Sequence, residues 1–162
     1  MPTTEAEAAQ TLSVHSADPA DEDARGLLVA LSHALLHLTG DGGTSSFADD
    51  DVRVDGAAFV VARDASGRAC GCGALRPQAD GVAEIKRMYA APGTRGVGAA
   101  LLLGLETRAR ACGYRAIVLS TRIVNERAVA FYHRHGYAEV APWGKYIDNP
   151  RSICLGKTLA AV

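Results

Sequence analysis

The chain has 162 residues, a formal net charge of -1, 48% apolar residues and 22% charged ones. Those totals suit one ordinary globular core and give no global electrostatic case for binding nucleic acid or an anionic membrane. No apolar run reaches the length of a bilayer span. The acidic, Ala-rich start lacks the basic-then-apolar pattern of a signal peptide, so a cytoplasmic protein is expected.

Residues 1–10 read as a flexible tail, and residues 11–162 as a single domain. A short strand fits residues 11–15. Residues 20–38 read as helix, because Leu27, Leu28, Leu31, Leu35 and Leu38 recur at three- and four-residue spacing. The Gly-rich run 40–46 breaks regular structure, and Asp49, Asp50 and Asp51 follow as an acidic patch. Residues 58–62, 69–75 and 82–90 read as strands, the first two joined as a hairpin. A second helix opens near Gly98, with Gly98, Leu101, Leu102, Leu105 and Ala109 on one face, and Gly113 closes it. Then come a strand at 116–120, a short helix at 125–135 stopped by Gly136, and strands at 137–140 and 152–157. This order predicts a mixed α/β sheet packed by helices.

The cysteines are Cys70, Cys72, Cys112 and Cys154. The single-residue spacer of Cys70 and Cys72 is too short for a zinc knuckle or a redox pair. Free thiols are expected, with Cys70 and Cys72 on the same strand face. His33 and His37 lie one helical turn apart without a third ligand in view, and read as an exposed helix edge; His133 and His135 read the same way. No metal is expected. Lys86 and Arg87, on alternate faces of a strand, are expected to be solvated.

The chemistry is concentrated where a strand ending at Met88, Tyr89 and Ala90 meets the turn Arg95, Gly96, Val97, Gly98, Ala99, Ala100. The first N–H groups of a helix lack internal acceptors, and the helix dipole makes that end partly positive, so phosphate oxygens bind well there. Glycines permit close approach of an anion, and Arg95 can add a charged contact. Leu101 stands where a dinucleotide fingerprint needs its third glycine, and the Gly-Lys-Ser/Thr of a nucleoside-triphosphate loop is missing.

Arg95-Gly-Val-Gly98-Ala-Ala100 resembles the Gln/Arg-x-x-Gly-x-Gly/Ala signature of the GNAT superfamily of N-acetyltransferases. Residues 125–137, with Asn125, Ala128, Phe131, Tyr132, Gly136 and Tyr137, resemble its downstream helix motif. The resemblance covers roughly residues 57–160, and the run from Pro142 to Lys157 is similar to one bacterial subgroup of small-molecule or general N-acetyltransferases, which names no substrate. It implies a mixed, mostly antiparallel sheet of about six to seven strands flanked by about four helices. It also implies acetyl transfer from acetyl-CoA, as co-substrate, to a primary amine by direct attack through a tetrahedral intermediate.

Carried over by residue, the backbone from Arg95 to Ala100 would hold the CoA pyrophosphate, with Gly96, Val97, Gly98 and Ala99 between. Met88, Tyr89 and Ala90 would pair with pantetheine, and Asn125 would lie near the thiol arm. Glu84 matches a general base, Tyr132 the proton donor to the departing thiolate, and the Met88 N–H an oxyanion donor. Family members are often homodimers. The acceptor would sit between residues 40–52 and 143–151. There Asp49, Asp50 and Asp51 suit a cationic amine, whereas Lys86, Lys145 and Arg151 suit an amine that also carries a carboxylate. A protein-amine acetyltransferase and a non-catalytic acetyl-CoA-binding regulatory module are the alternative readings.

Overall fold

The computed structural model describes residues 11–160; the expected tail, residues 1–10, lies outside them. Strands β1 (Ser13–Ser16), β2 (Ala58–Arg63), β3 (Ala69–Ala79), β4 (Val82–Ala90), β5 (Ala116–Arg122), β6 (Ala138–Glu139) and β7 (Ser152–Thr158) form one sheet in the order β1-β2-β3-β4-β5-β7-β6. Every neighbouring pair is antiparallel except β4 and β5, which run parallel. Three α-helices accompany it: α1 (Glu22–Thr39), α2 (Val97–Ala111) and α3 (Glu126–Arg134). The run 40–46, expected to break regular structure, holds only a 3-10 turn at Thr44–Ser46, and further such turns lie at Asp49–Val52 and Gly144–Tyr146.

The central strands are apolar on both faces because both are covered. On one side Val60, Ala62, Leu75, Ala83 and Ile85 pack against Leu101, Leu102 and Leu105 of α2. On the other, Phe59, Val61, Cys72 and Ala74 pack against Ala24, Leu27 and Leu28 of α1. Each fully buried leucine contributes roughly 1.5–3 kcal/mol of transfer free energy. The buried stripe of α1 stops at Leu31, and Leu36 and Leu38 beyond it are exposed, so the periodicity outruns the surface it covers.

Two glycines in β3 let α2 lie close to the sheet. A Cβ on Gly71 would meet Val97 Cγ1 at 2.5 Å, and one on Gly73 would meet Leu105 Cδ1 at 3.0 Å. The expectation that Cys70 and Cys72 share a face is corrected here. The pairing of β2 with β3 skips a residue, from Ala62↔Gly71 to Arg63↔Ala69, so Cys70 is the extra residue of a bulge. Cys70 therefore packs on the α2 side and Cys72 on the α1 side. All four cysteines are free thiols, and only Cys112 is exposed.

Candidate functional site

The site begins with a defect in β4. Cys72 pairs with Tyr89 but Ala74 with Lys86, so β4 carries one residue more than β3 across this step. The excess is absorbed at Arg87, the one non-glycine with positive φ (57°) among the described residues. A side chain in that region costs about 1–2 kcal/mol. Its guanidinium offsets this by donating to Gly42 O at 3.1 Å, Leu28 O at 3.2 Å and Ser32 Oγ at 2.5 Å. Arg87 is thus tied to α1 and the loop after it rather than solvated.

Bulges increase local twist, and here the sheet opens. β4 and β5 pair only at Val82↔Ala116, Ala83↔Ile117 and Glu84↔Val118. Beyond Glu84 the two strands separate around a cleft of about 380 Å³. Ile85, Lys86 and Met88 form one wall, and Leu119 to Arg122 the other. Leu31 and Leu35 of α1 line it too, and so do Lys145 and Tyr146. The Lys145 ammonium donates to Ser46 Oγ, joining the two turns across the cleft.

Of the catalytic and cofactor-binding candidates, the cleft collects Met88, Asn125 and Tyr132, and of the acceptor candidates Lys86 and Lys145. Asn125 is the N-cap of α3, its Oδ1 accepting from Ala128 N at 3.3 Å, a role that fixes the helix start. Tyr132 is held edge-on between Phe131 and Tyr137, with centroid separations of 5.1 and 5.6 Å. Burial raises its phenol pKa, keeping it protonated at neutral pH, and among the described residues its hydroxyl has no hydrogen-bond partner.

Glu84 does not line the cleft. It lies near Lys86 and Tyr146, 3% exposed, at the last position where β4 pairs with β5. Arg76 Nε donates to its Oε1 at 2.9 Å, while Oε2 is buried without a partner among the described residues. Lys86, two residues on and on the same strand face, donates to Tyr146 Oη at 3.1 Å. Burial pushes the Lys86 ammonium down to about 8, against the opposing pull of Glu84. Contrary to the expectation of a solvated residue, Lys86 is a wall of the cleft; its environment comes from Tyr146, sixty positions away, which no local pattern announces.

The turn before α2 stands apart from this cleft. Gly96 adopts φ 73° and is the N-cap; its carbonyl receives Ala100 N at 3.0 Å, and no side chain caps the helix. The N–H groups of Gly96, Val97, Gly98 and Ala99 therefore have no acceptor within the helix, a geometry that fits a pyrophosphate. Val97, not Gly98, opens the buried face of α2, with its side chain 2% exposed. Gly98 faces α3 instead, where an added Cβ would lie 3.3 Å from two ring atoms of Phe131. Arg95 and Ala90 are exposed, and Tyr89 packs against the α1-side core.

Several residues are spoken for elsewhere. Asp49 pairs with Arg25, Asp50 with Arg53, and Asp51 with Arg76. Arg151 is exposed and does not line the cleft. His33 and His37 lie on the exposed side of α1, as expected.

With this geometry in view, the comparisons are direct. The profile of the Acetyltransferase (GNAT) family matches residues 29–137, from within α1 through both halves of the split sheet to Tyr137. The chain is a member of the GNAT family. It is an acetyl-CoA-dependent N-acetyltransferase, with acetyl-CoA as co-substrate. A relative from Azospirillum brasilense described as IAA acetyltransferase is 37% identical over 136 residues, spanning 82% of this chain and 81% of that protein. A Klebsiella pneumoniae structure described as an acyl-CoA N-acyltransferase superposes with a TM-score of 0.78 at 27% identity, covering 93% of this chain and 99% of that one. The PaiA N-acetyltransferase of Thermoplasma acidophilum, solved in complex with coenzyme A, shares the fold at a TM-score of 0.67 and 16% identity, over 91% and 99% of the two chains. No helix of the described residues is long and apolar enough to cross a membrane.

Proposed function

We propose that this GNAT enzyme acetylates the primary amine of a small molecule by direct transfer within the cleft between β4 and β5. The observation that carries this reading is the convergence there of Met88 and Tyr132, with Glu84, whose Oε2 is buried without a partner among the described residues, near Lys86 and Tyr146 of its lining. Glu84 takes a proton from the incoming ammonium through a water, since the carboxylate is buried and does not itself line the cleft. The amine nitrogen then forms its bond to the thioester carbon, the tetrahedral intermediate loses the nitrogen's second proton to solvent, and the carbon–sulfur bond breaks as the carbonyl re-forms. Tyr132 gives its phenolic proton to the departing sulfur and is reprotonated from solvent. The backbone of β4 at Met88 faces the carbonyl oxygen as charge develops on it. Met88, Tyr89 and Ala90 accompany the pantetheine arm, Asn125 borders its thiol end, and the turn from Arg95 to Ala100 receives the pyrophosphate.

Calorimetric titration with acetyl-CoA, followed by a panel of small amines assayed for free thiol, tests this. Binding near micromolar affinity and amine-dependent thiol release are expected. Binding without release on any amine would overturn the small-molecule reading.

A further inference from the structure

The charges around the cleft say more about the acceptor. Lys86, Arg87, Arg122 and Lys145 line it against one carboxylate, Asp41, in a chain whose net charge is -1. Asp41 is taken by Arg122 at 3.3 Å, and Arg87 is used up on neutral oxygens of α1 and its following loop. Two ammonium groups remain, and both lie near one ring. Lys86 Nζ lies 5.8 Å and Lys145 Nζ 5.5 Å from the centroid of Tyr146. Their hydrogen-bond partners, the hydroxyls of Tyr146 and Ser46, are uncharged. Among the described residues neither has an ion-pair partner. The acidic patch that could have neutralised them is bound to Arg25, Arg53 and Arg76 instead. The charge of Lys145 acts against that of Lys86, and a bound anion relieves the repulsion.

Building on the small-amine reading, we infer that the acceptor is an amine that also bears a carboxylate, which Lys86 and Lys145 hold beside the Tyr146 ring. The amine then points along β4 toward Met88, on the far side of the bulge at Arg87. The apolar walls from Leu31, Leu35, Ile85 and Leu119 suit an aliphatic or aromatic remainder.

The test uses the common amino acids, each beside its amide and its decarboxylated amine, compared at equal free-base concentration by thiol release. Amino acids are expected to exceed both analogues by about tenfold or more in kcat/KM, chiefly through KM, as for a charge-assisted contact. Lys145→Met should collapse that ratio toward one and Lys145→Arg should keep most of it. Equal or better turnover of the amides overturns this inference alone. So does a Lys145→Met protein that loses acetyl-CoA affinity while keeping the ratio. Turnover of none of the compounds, with acetyl-CoA bound, overturns the small-amine reading together with it.

Discussion

Arg76 Nε and Glu84 Oε1 stand 2.9 Å apart, and that contact holds one carboxylate oxygen while the other is buried without a partner among the described residues. Glu84→Gln preserves shape and the Arg76 contact but removes the proton acceptor. We expect kcat to fall about a hundredfold and the rate profile to move to higher pH, where free amine no longer needs a base. An unchanged pH profile removes Glu84 from that role. Arg76→Met, by contrast, strands a buried charge and should cost about 3 kcal/mol of stability by denaturant unfolding.

Tyr132→Phe removes a hydroxyl that no described residue binds, so the fold loses only packing polarity. Its melting temperature should stay within a few degrees and acetyl-CoA affinity within about twofold, while turnover falls about tenfold or more. Equal turnover would leave Tyr132 as a core aromatic alone.

The turn before α2 is best probed at Ala99. Gly98→Asp would strike the Phe131 ring and confound packing with charge. Ala99→Asp instead adds a carboxylate to the first helical turn, which favours the helix by about 0.3–1 kcal/mol while repelling a pyrophosphate. Acetyl-CoA affinity should drop about tenfold or more in a protein at least as thermostable as the parent. Unchanged affinity places the anion elsewhere.

The pH dependence of acceptor KM follows from Lys86. Facing it are Glu84 and Arg87 of β4, Arg76 of β3, and Lys145 and Tyr146 of the opposing turn. Its ammonium sits at about 8, lowered by burial. A carboxylate binds best to the protonated form, so KM for an amino acid should rise as pH passes upward through about 8. For the matching amide it should not.

Thiol chemistry should be confined to one position. Burial pushes the Cys72 thiol up to about 12 and raises those of Cys70 and Cys154 as well. Brief treatment of the native protein with iodoacetamide should label Cys112, the exposed one, and mass spectrometry should find a single adduct until denaturant is added.

The fold was legible where its causes are local. Leucines at helical spacing in α2, glycines at helix ends and turn residues in the first hairpin each act over a few positions. The family motifs marked Gly96, Asn125 and Tyr132 for the same reason. What stayed hidden depends on register and distance. The strand alternation that put Cys70 and Cys72 together fails because one residue is slipped against Ala62 and Arg63. Arg87 gives no hint that it occupies a left-handed position, since arginine has no preference for one. The surroundings of Lys86 and Glu84 depend on Tyr146, Arg76 and Ser46, which the chain brings in from far along the sequence. Only a completed sheet places them.

Gly71 touches no part of the proposed chemistry, yet it sets one of its dimensions. A methyl group there would meet both Val97, the first residue of α2, and the Tyr89 carbonyl near the end of β4, at 2.5 and 2.6 Å. The gap between helix mouth and strand end is gauged by a missing side chain on a third element. In the proposed binding mode, widening it by even an ångström would stretch the span that acetyl-CoA bridges. A library screened only at ligand-facing positions would miss the residue that keeps its two halves in step.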